Sequence, residues 1–419
     1  MKACRFPDGF LWGSAISAFQ TEGSPLKNEW CELASRGKIF DGSRPEGAVN
    51  FWDNYEKYIA LMKEMNHNIF RMSVEWARIE PEEGLYDESA LQHYRKIISA
   101  VSASGIKPMI DLHHHSNPLW LARKGGWCNR SSVVHFRRFT NKVINSLGDL
   151  TDMWLTINEP VVLAVTSYML GLFPPQKKNI FQTFKCIDNL AEAHVAAYEE
   201  IRDAFSKNNW PGPKVGFAKH VRCFNPCNPA SPLDNLAVKM HENIFNLDFF
   251  NKITRKTLTL DMVCINYYTS ELVKFPLDRE ASSDLPKNKL GWDIYPEGLY
   301  KVLKRYWDMF HLPVYVTENG VCDDHDELRP LFILDHVYQM HRALESGVDI
   351  RAYCHWTTMD NFECMEGLSA RFGLIHVDFD SKELKCTIKP SGRLFGEIAG
   401  ANGITPAIVD KFKPDWHAP

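Results

Sequence analysis

The chain is predicted to be an α/β protein built as a (β/α)8 TIM barrel, a single domain over residues 1–419. Three observations carry that prediction. Short apolar runs alternate with helix-period segments from one end to the other, eight times over. The length suits one barrel, although a length prior alone would suggest two or three domains. Two of the runs also end in a carboxylate: Met153-Trp154-Leu155-Thr156-Ile157 leads to Asn158-Glu159-Pro160, and Val314-Tyr315-Val316-Thr317 leads to Glu318-Asn319-Gly320. α/β folds place their chemistry at the carboxyl ends of strands. A lone strand-end Glu is best read as facing water, but two built alike and far apart in sequence face each other only if the sheet closes. An open doubly wound sheet would want a Gly-rich phosphate loop after the first strand, and the sequence has none.

Each element has its own signal. Phe10 to Ala15 is the expected first strand, followed by Phe51, Trp52, Tyr55, Ile59 and Met62 at helical spacing. Asn68 to Val74 is the second strand, and Leu91, Tyr94, Ile98 and Val101 mark a helix stopped by Gly105. Lys107 to His113 is the third strand. The fourth is the run before Glu159, where Pro160 has no N–H to continue the ladder. Leu190, Ala193, Ala197 and Ile201 form the next helical face, and Lys214 to Ala218 and Met262 to Tyr267 are strands five and six. A helix over Leu299 to Tyr306 precedes strand seven. Leu334, Val337, Tyr338 and His341 precede strand eight, Ile350 to Trp356. The stretch from Lys274 to Leu290 is expected to be a loop over the mouth.

Composition excludes more than it assigns. A net charge of −4 gives no electrostatic reason to expect nucleic acid or an anionic membrane. No apolar stretch is long enough to span a bilayer, and Met1 to Gly9 has no signal-peptide core. Eleven scattered cysteines, an odd number and mostly inside apolar patterns, point to a reducing cytoplasmic location. Adjacent His113, His114 and His115 alternate faces on a strand, and Cys223 and Cys227 lack partner ligands, so no metal or other cofactor is expected.

A closed barrel gathers the strand ends at one mouth. Strand one brings Gln20 and Glu22, strand two Arg71, strand three His113 to His115, and strand four Asn158 and Glu159. Strand six adds Asn266 and Tyr268, strand seven Glu318, and strand eight Trp356 and Glu363. Two carboxylates with an Arg, a Tyr, an imidazole, amides and an indole face suit a polyhydroxylated substrate. Glycoside cleavage needs one carboxyl to protonate the leaving oxygen and one to attack or activate water.

The sequence resembles glycoside hydrolase family 1, the β-glucosidase and β-galactosidase family, over nearly its whole length. Ser17 to Gly23, Phe70 to Ser73, Leu112-His113-His114 with Pro118-Leu119-Trp120, and Thr156 to Pro160 are similar to that family's motifs. So are Asn266-Tyr267-Tyr268, Val316 to Gly320, and Trp356 through Asp360-Asn361-Phe362-Glu363. The resemblance implies a retaining, exo-acting β-glycosidase of terminal β-D-glucosides or β-D-galactosides. In it Glu318 is the nucleophile and Glu159 the general acid and later base. Asn158 bonds the sugar 2-hydroxyl, and Arg71 and Tyr268 hold Glu318 ionised and aimed. Gln20, His114 and Glu363 grip other hydroxyls, and Trp356 floors the subsite. The implied partner is a small-molecule β-glycoside.

Two residues depart from the family pattern and bear on glycone preference: Cys364 stands where a sugar-contacting Trp is common, and His115 where Trp or Phe is usual. The 6-phospho-β-glycosidases hold phosphate with a Ser, a Lys and a Tyr where this chain has Glu363, Ala370 and Phe372, and an acidic Glu363 would repel phosphate. The thioglucosidases lack the acid Glu that Glu159 supplies. A non-catalytic sugar-binding barrel would typically have lost one carboxylate. A glycosyl-transferring enzyme would look the same in sequence.

Overall fold

The computed structural model describes residues 3–418 without 25, 256, 277, 281 and 282, and only the backbone of 278–280. Met1 and Lys2 at the start of the N-terminal stretch, and parts of the expected mouth loop, therefore lie outside the described residues. The barrel strands are β1 Leu11–Ala15, β2 Ile69–Ser73, β3 Lys107–Asp111, β4 Met153–Asn158, β5 Lys214–Pro226, β6 Val263–Lys274, β7 Val314–Asn319 and β8 Ile350–Trp356. Each pairs in parallel with the next, and β8 pairs with β1, setting Trp356 beside Ala15 and closing the ring. The return helices are α1 Phe51–Glu64, α2 Glu88–Ala103, α3 Ser131–Leu147, α4 Ile180–Lys207, α5 Pro232–His241, α6 Pro296–Phe310, α7 Arg329–Glu345 and α8 Pro390–Ala401. α5 continues through a π-turn, Glu242–Leu247, into a helix over Asp248–Ile253.

Side-chain alternation divides the core in two. Ile69, Met109, Met153, Leu155, Cys264, Tyr315, Ala352 and Cys354 point inward and fill the barrel. Phe70, Ile110, Trp154, Val263, Val316 and Tyr353 point outward and pack in the layer under the helices. Helix ends are set locally. Asp87 accepts from the Ser89 and Ala90 N–H groups to start α2, and Asn179 accepts from Gln182 N–H to start α4. Each such cap contributes about 1 kcal/mol.

The alternation breaks at two useful places. The β4–β5 register slips between Leu155 and Asn158, and the β6–β7 register slips where Asn266 meets Glu318. Such irregularities re-aim side chains at barrel rims. Both strands that end in the paired glutamates carry one.

The structure corrects several expected limits. β5 and β6 run well past the mouth, to Pro226 and Lys274, and stay paired as an arm. The expected loop from Lys274 to Leu290 is in part a hairpin, because 278–280 pair antiparallel with β6. Small accessory pairings, Cys4–Arg5 with Gly403–Ile404 and Ile375–Val377 with Cys386–Ile388, lie outside the barrel.

Candidate active site

Arg71 is the base on which the site is built. Its inward position on β2 is one step above Ile69, so its guanidinium is fully buried under the mouth. A buried cation is costly unless its donors are satisfied. Nη1 donates to Glu318 Oε1 and Nη2 to Asp111 Oδ2 (2.8 Å) and Asn158 Oδ1 (2.7 Å). One planar fork thus ties β2, β3, β4 and β7 together.

Glu318 has a second donor, Tyr268, whose hydroxyl lies 2.6 Å from Oε2. Burial pushes the Glu318 carboxyl up. Arg71 opposes this, the charge of Glu159 adds to it, and the phenol opposes it. The Tyr268 phenol is itself raised far above its ordinary value, by burial and by the charge of Glu318, and so stays a donor.

Glu159 sits in left-handed backbone, φ 44° and ψ 57°, between the end of β4 and a short helix led by Pro160. Its N–H donates to Ala218 O (2.8 Å), which anchors the turn to β5. Non-glycine residues in this region are strained, and the surrounding bonds hold this one in place. Oε1 accepts from Asn266 Nδ2 (2.8 Å) and lies 3.4 Å from His220 Nδ1; Oε2 is 3.8 Å from His115 Nε2. Arg222 Nε donates to His220 Nε2 (3.2 Å), so the His220 proton sits on Nδ1, toward Glu159. Burial acts to raise Glu159, and His220 and His115 act to lower it only while they carry charge.

The other expected residues converge on the same cavity, about 320 Å³ in volume. Gln20, His114, Asn158, Glu159, Tyr268, Glu318, Trp356 and Glu363 all line it, as do His115 and Cys364, and Arg71 lies beneath. Asn158 turns Oδ1 to Arg71, which leaves Nδ2 3.0 Å from His114 Nε2. The His114 ring stacks on Trp356 at 5.5 Å and 17°. Burial lowers His114 to about 3, so it is neutral. Trp356 Nε1 donates to Glu363 Oε2 at 3.2 Å, and burial raises Glu363 to about 7. Gln20 is held by Ser17 Oγ, 2.6 Å from its Oε1.

Two expected mouth residues are elsewhere. Glu22 turns away to Arg78 Nε (2.7 Å) and the Tyr94 hydroxyl (2.6 Å). His113 turns to Asn117 Oδ1 (3.0 Å) and packs its edge on Trp127. The three consecutive histidines therefore diverge. Among the described residues no group of three His, Cys, Asp or Glu side chains is arranged to hold a metal ion.

Sequence reading missed Asp111, His220 and Arg222, together with the apolar wall of Phe40, Leu172, Phe173, Leu290, Trp292 and Phe372. Only Asp111 had a local signal, the inward parity of β3 two places after Met109.

Comparison with known proteins agrees with this geometry. The family model for Glycosyl hydrolase family 1 matches residues 2–258 and 251–404. A β-galactosidase of Saccharolobus solfataricus is 32% identical over 96% of this chain and 96% of its own. A β-glucosidase from Thermotoga maritima, solved in complex with glucoimidazole, superposes with a TM-score of 0.89 at 29% identity, covering 96% of this chain and 100% of that one. A chloroplastic galactolipid galactosyltransferase of Arabidopsis thaliana is 33% identical over 86% of this chain and 59% of its own. The barrel and these matches make the protein a β-glycoside hydrolase, a member of glycosyl hydrolase family 1.

Proposed function

We propose that the protein is a retaining, exo-acting β-glycosidase of terminal β-D-glucosides or β-D-galactosides, with Glu318 as nucleophile and Glu159 as acid and base. The observation that carries this reading is the unequal company of two buried carboxyls in one cavity. Glu318 bonds a guanidinium and a phenol, whereas Glu159 meets the Asn266 amide and the His220 imidazole. Two facing carboxyls in a dry site share one proton. A fixed positive charge holds the proton off Glu318. An imidazole lowers Glu159 only while itself charged, and burial disfavours that for His220. The shared proton belongs to Glu159. Asn266 and His220 already supply donors to Oε1, so the acidic proton rests on Oε2.

Glu318 then attacks the anomeric carbon. The bond to the leaving oxygen breaks, its electron pair stays on that oxygen, and the oxygen takes the Glu159 proton. Glu159, now a carboxylate, accepts a proton from water, whose oxygen displaces Glu318. Asn158 Nδ2 is placed to meet the sugar 2-hydroxyl, and Gln20, His114, Trp356 and Glu363 meet the remaining edge. Buried free thiols at Cys186, Cys264 and Cys354 favour a reducing compartment.

The test is kinetic. Glu159→Gln should lose on the order of 10²–10⁴-fold on poor leaving groups and far less on good ones. Glu318→Ala should lose all turnover, with partial rescue by a small anion. Proton NMR of the first-formed sugar should show the β anomer. Inversion, or equal Glu159→Gln losses on all leaving groups, overturns the assignment. Similarity to a galactosyltransferase, and the apolar wall on the leaving-group side, favour transfer as a second outcome of the same intermediate. An added alcohol acceptor distinguishes it by product.

A further inference from the structure

The rim of the pocket carries an apolar surface that the fold leaves uncovered. Leu170 and Leu172 between β4 and α4, and Ile180, Phe181 and Phe184 at the start of α4, are exposed, Phe181 at 83%. On α5 and the π-turn after it, Leu233, Leu236, Met240 and Ile244 are exposed as well. Their spacing makes one helical stripe, and it is not the stripe that packs. Ala237, on the other side, meets Phe224 and Val273. A return helix normally presents polar residues outward, and contiguous exposed apolar surface marks an interaction site.

One ion pair ties the two limbs together. Lys252 Nζ lies 2.8 Å from Asp188 Oδ1, pinning the helix after α5 against α4. Both helices run away from the mouth, as return limbs of adjacent βα units. Ile180 is eight residues before Asp188, and Ile244 eight before Lys252. Leu172 continues this surface into the pocket wall.

Charge narrows the partner. Lys177, Lys178 and Lys185 are exposed, and the sequence from Val165 to Ile187 has no Asp or Glu. Lys239 is exposed on α5. The one carboxylate between Cys227 and Met240, Asp234, is buried and bonded to the Asn228 and Phe275 N–H groups. Net charge is an average, and the segment from Val165 to Ile187 is locally cationic on an acidic chain. Aromatic and aliphatic side chains interleaved with lysines are the composition of an interfacial lipid-binding surface.

We propose that this rim docks peripherally on an anionic lipid bilayer and presents the pocket to β-glycosides whose aglycone is anchored there, that is, to glycolipids. The substrate half rests on the β-glycosidase reading; the docking half does not.

The experiment is co-sedimentation of the full chain with vesicles of phosphatidylcholine, with and without phosphatidylglycerol. Aryl β-glycoside turnover serves as the folding control. The chain should bind only the anionic vesicles, with binding lost at high salt. Phe181→Asp should weaken it tenfold or more, and each of Lys177→Glu and Lys178→Glu by at least about fivefold. None of these residues lines the pocket, so aryl glycoside kinetics should be unchanged. Hydrolysis of a β-glycosyl diacylglycerol in those vesicles should fall in parallel with binding. No sedimentation at low salt, or equal sedimentation of Phe181→Asp, overturns the docking. A dimer in solution that Phe181→Asp splits, without vesicle binding, makes the rim a contact between copies instead. Vesicle binding without glycolipid turnover, while aryl glycosides are cleaved, overturns the substrate half alone.

Discussion

Replacing Tyr268 by Phe isolates one bond. The ring stays, with its stacking on His220 (5.7 Å, 20°) and its contacts with Trp292 and Phe372. Only the 2.6 Å donor to Glu318 Oε2 goes. A hydrogen bond to a charged acceptor contributes about 1.5–3 kcal/mol, and one pKa unit corresponds to about 1.36 kcal/mol. The phenol favours the ionised form of Glu318, so its loss raises that carboxyl further, by about one to two units. The acid limb of kcat/KM reports the nucleophile's ionisation in the free enzyme. In Tyr268→Phe that limb should move to higher pH by the same amount. Activity on the acid side should then fall about ten- to a hundredfold. The assay is kcat/KM for an aryl β-glycoside across pH. An acid limb that stays in place, or moves to lower pH, refutes the assignment of Glu318 as the group whose charge the phenol supports.

Other outcomes follow from the same geometry. His220→Phe removes a donor to ionised Glu159, so the alkaline limb of kcat/KM, which reports the acid, should move to higher pH; a shift the other way would remove His220 from the acid's environment. Cys364→Trp should change the ratio of kcat/KM for aryl β-glucoside and β-galactoside, because an indole N–H restores a neutral hydrogen bond of roughly 0.5–1.5 kcal/mol beside Glu363; an unaltered ratio in an already selective enzyme excludes that role. Asp360 is fully buried, which acts to raise it, but His376, Lys389 (2.8 Å) and Arg371 (3.2 Å) hold it far below the carboxylate range. Its stabilisation is present above the unfolded value near ~3.9 and is lost as pH falls through the folded value, so Asp360→Asn should lower Tm at neutral pH and leave the acid-side dependence of Tm flatter. Equal Tm–pH slopes in the two proteins would exclude that linkage.

The barrel was legible in the sequence because eight short apolar runs alternate with helix-period segments, as parallel strands covered on both faces do. The glutamates were legible because both follow β-branched runs and precede a turn. The acid's surroundings were not. Lys219, His220, Val221 and Arg222 mix charge into β5, so the strand looked finished at Ala218, and the residues that face Glu159 fell outside it. Nor does any single strand reveal the register slips beside Asn158 and Glu318, which exist only between neighbours. Asp111 stood in plain view on β3, yet its link to Arg71 depends on barrel closure. Phe181 and the α5 stripe carried no signal at all, because a helical apolar period is the same whether a partner covers it or not.

The guanidinium beneath the mouth has a wider consequence. Glu318 and the Asn158 amide are fastened from the barrel interior, by the buried Arg71 side chain. Bond cleavage and substrate choice are therefore mechanically separate. The β5–β6 arm beyond Arg222 and Tyr268, the hairpin after it and the segment before α4 can bend, lengthen or change composition without shifting the Glu318 and Asn158 side chains. A lineage built on this frame can trade one leaving group for another through its rim alone, and laboratory evolution of aglycone range in this enzyme should gather its productive substitutions there.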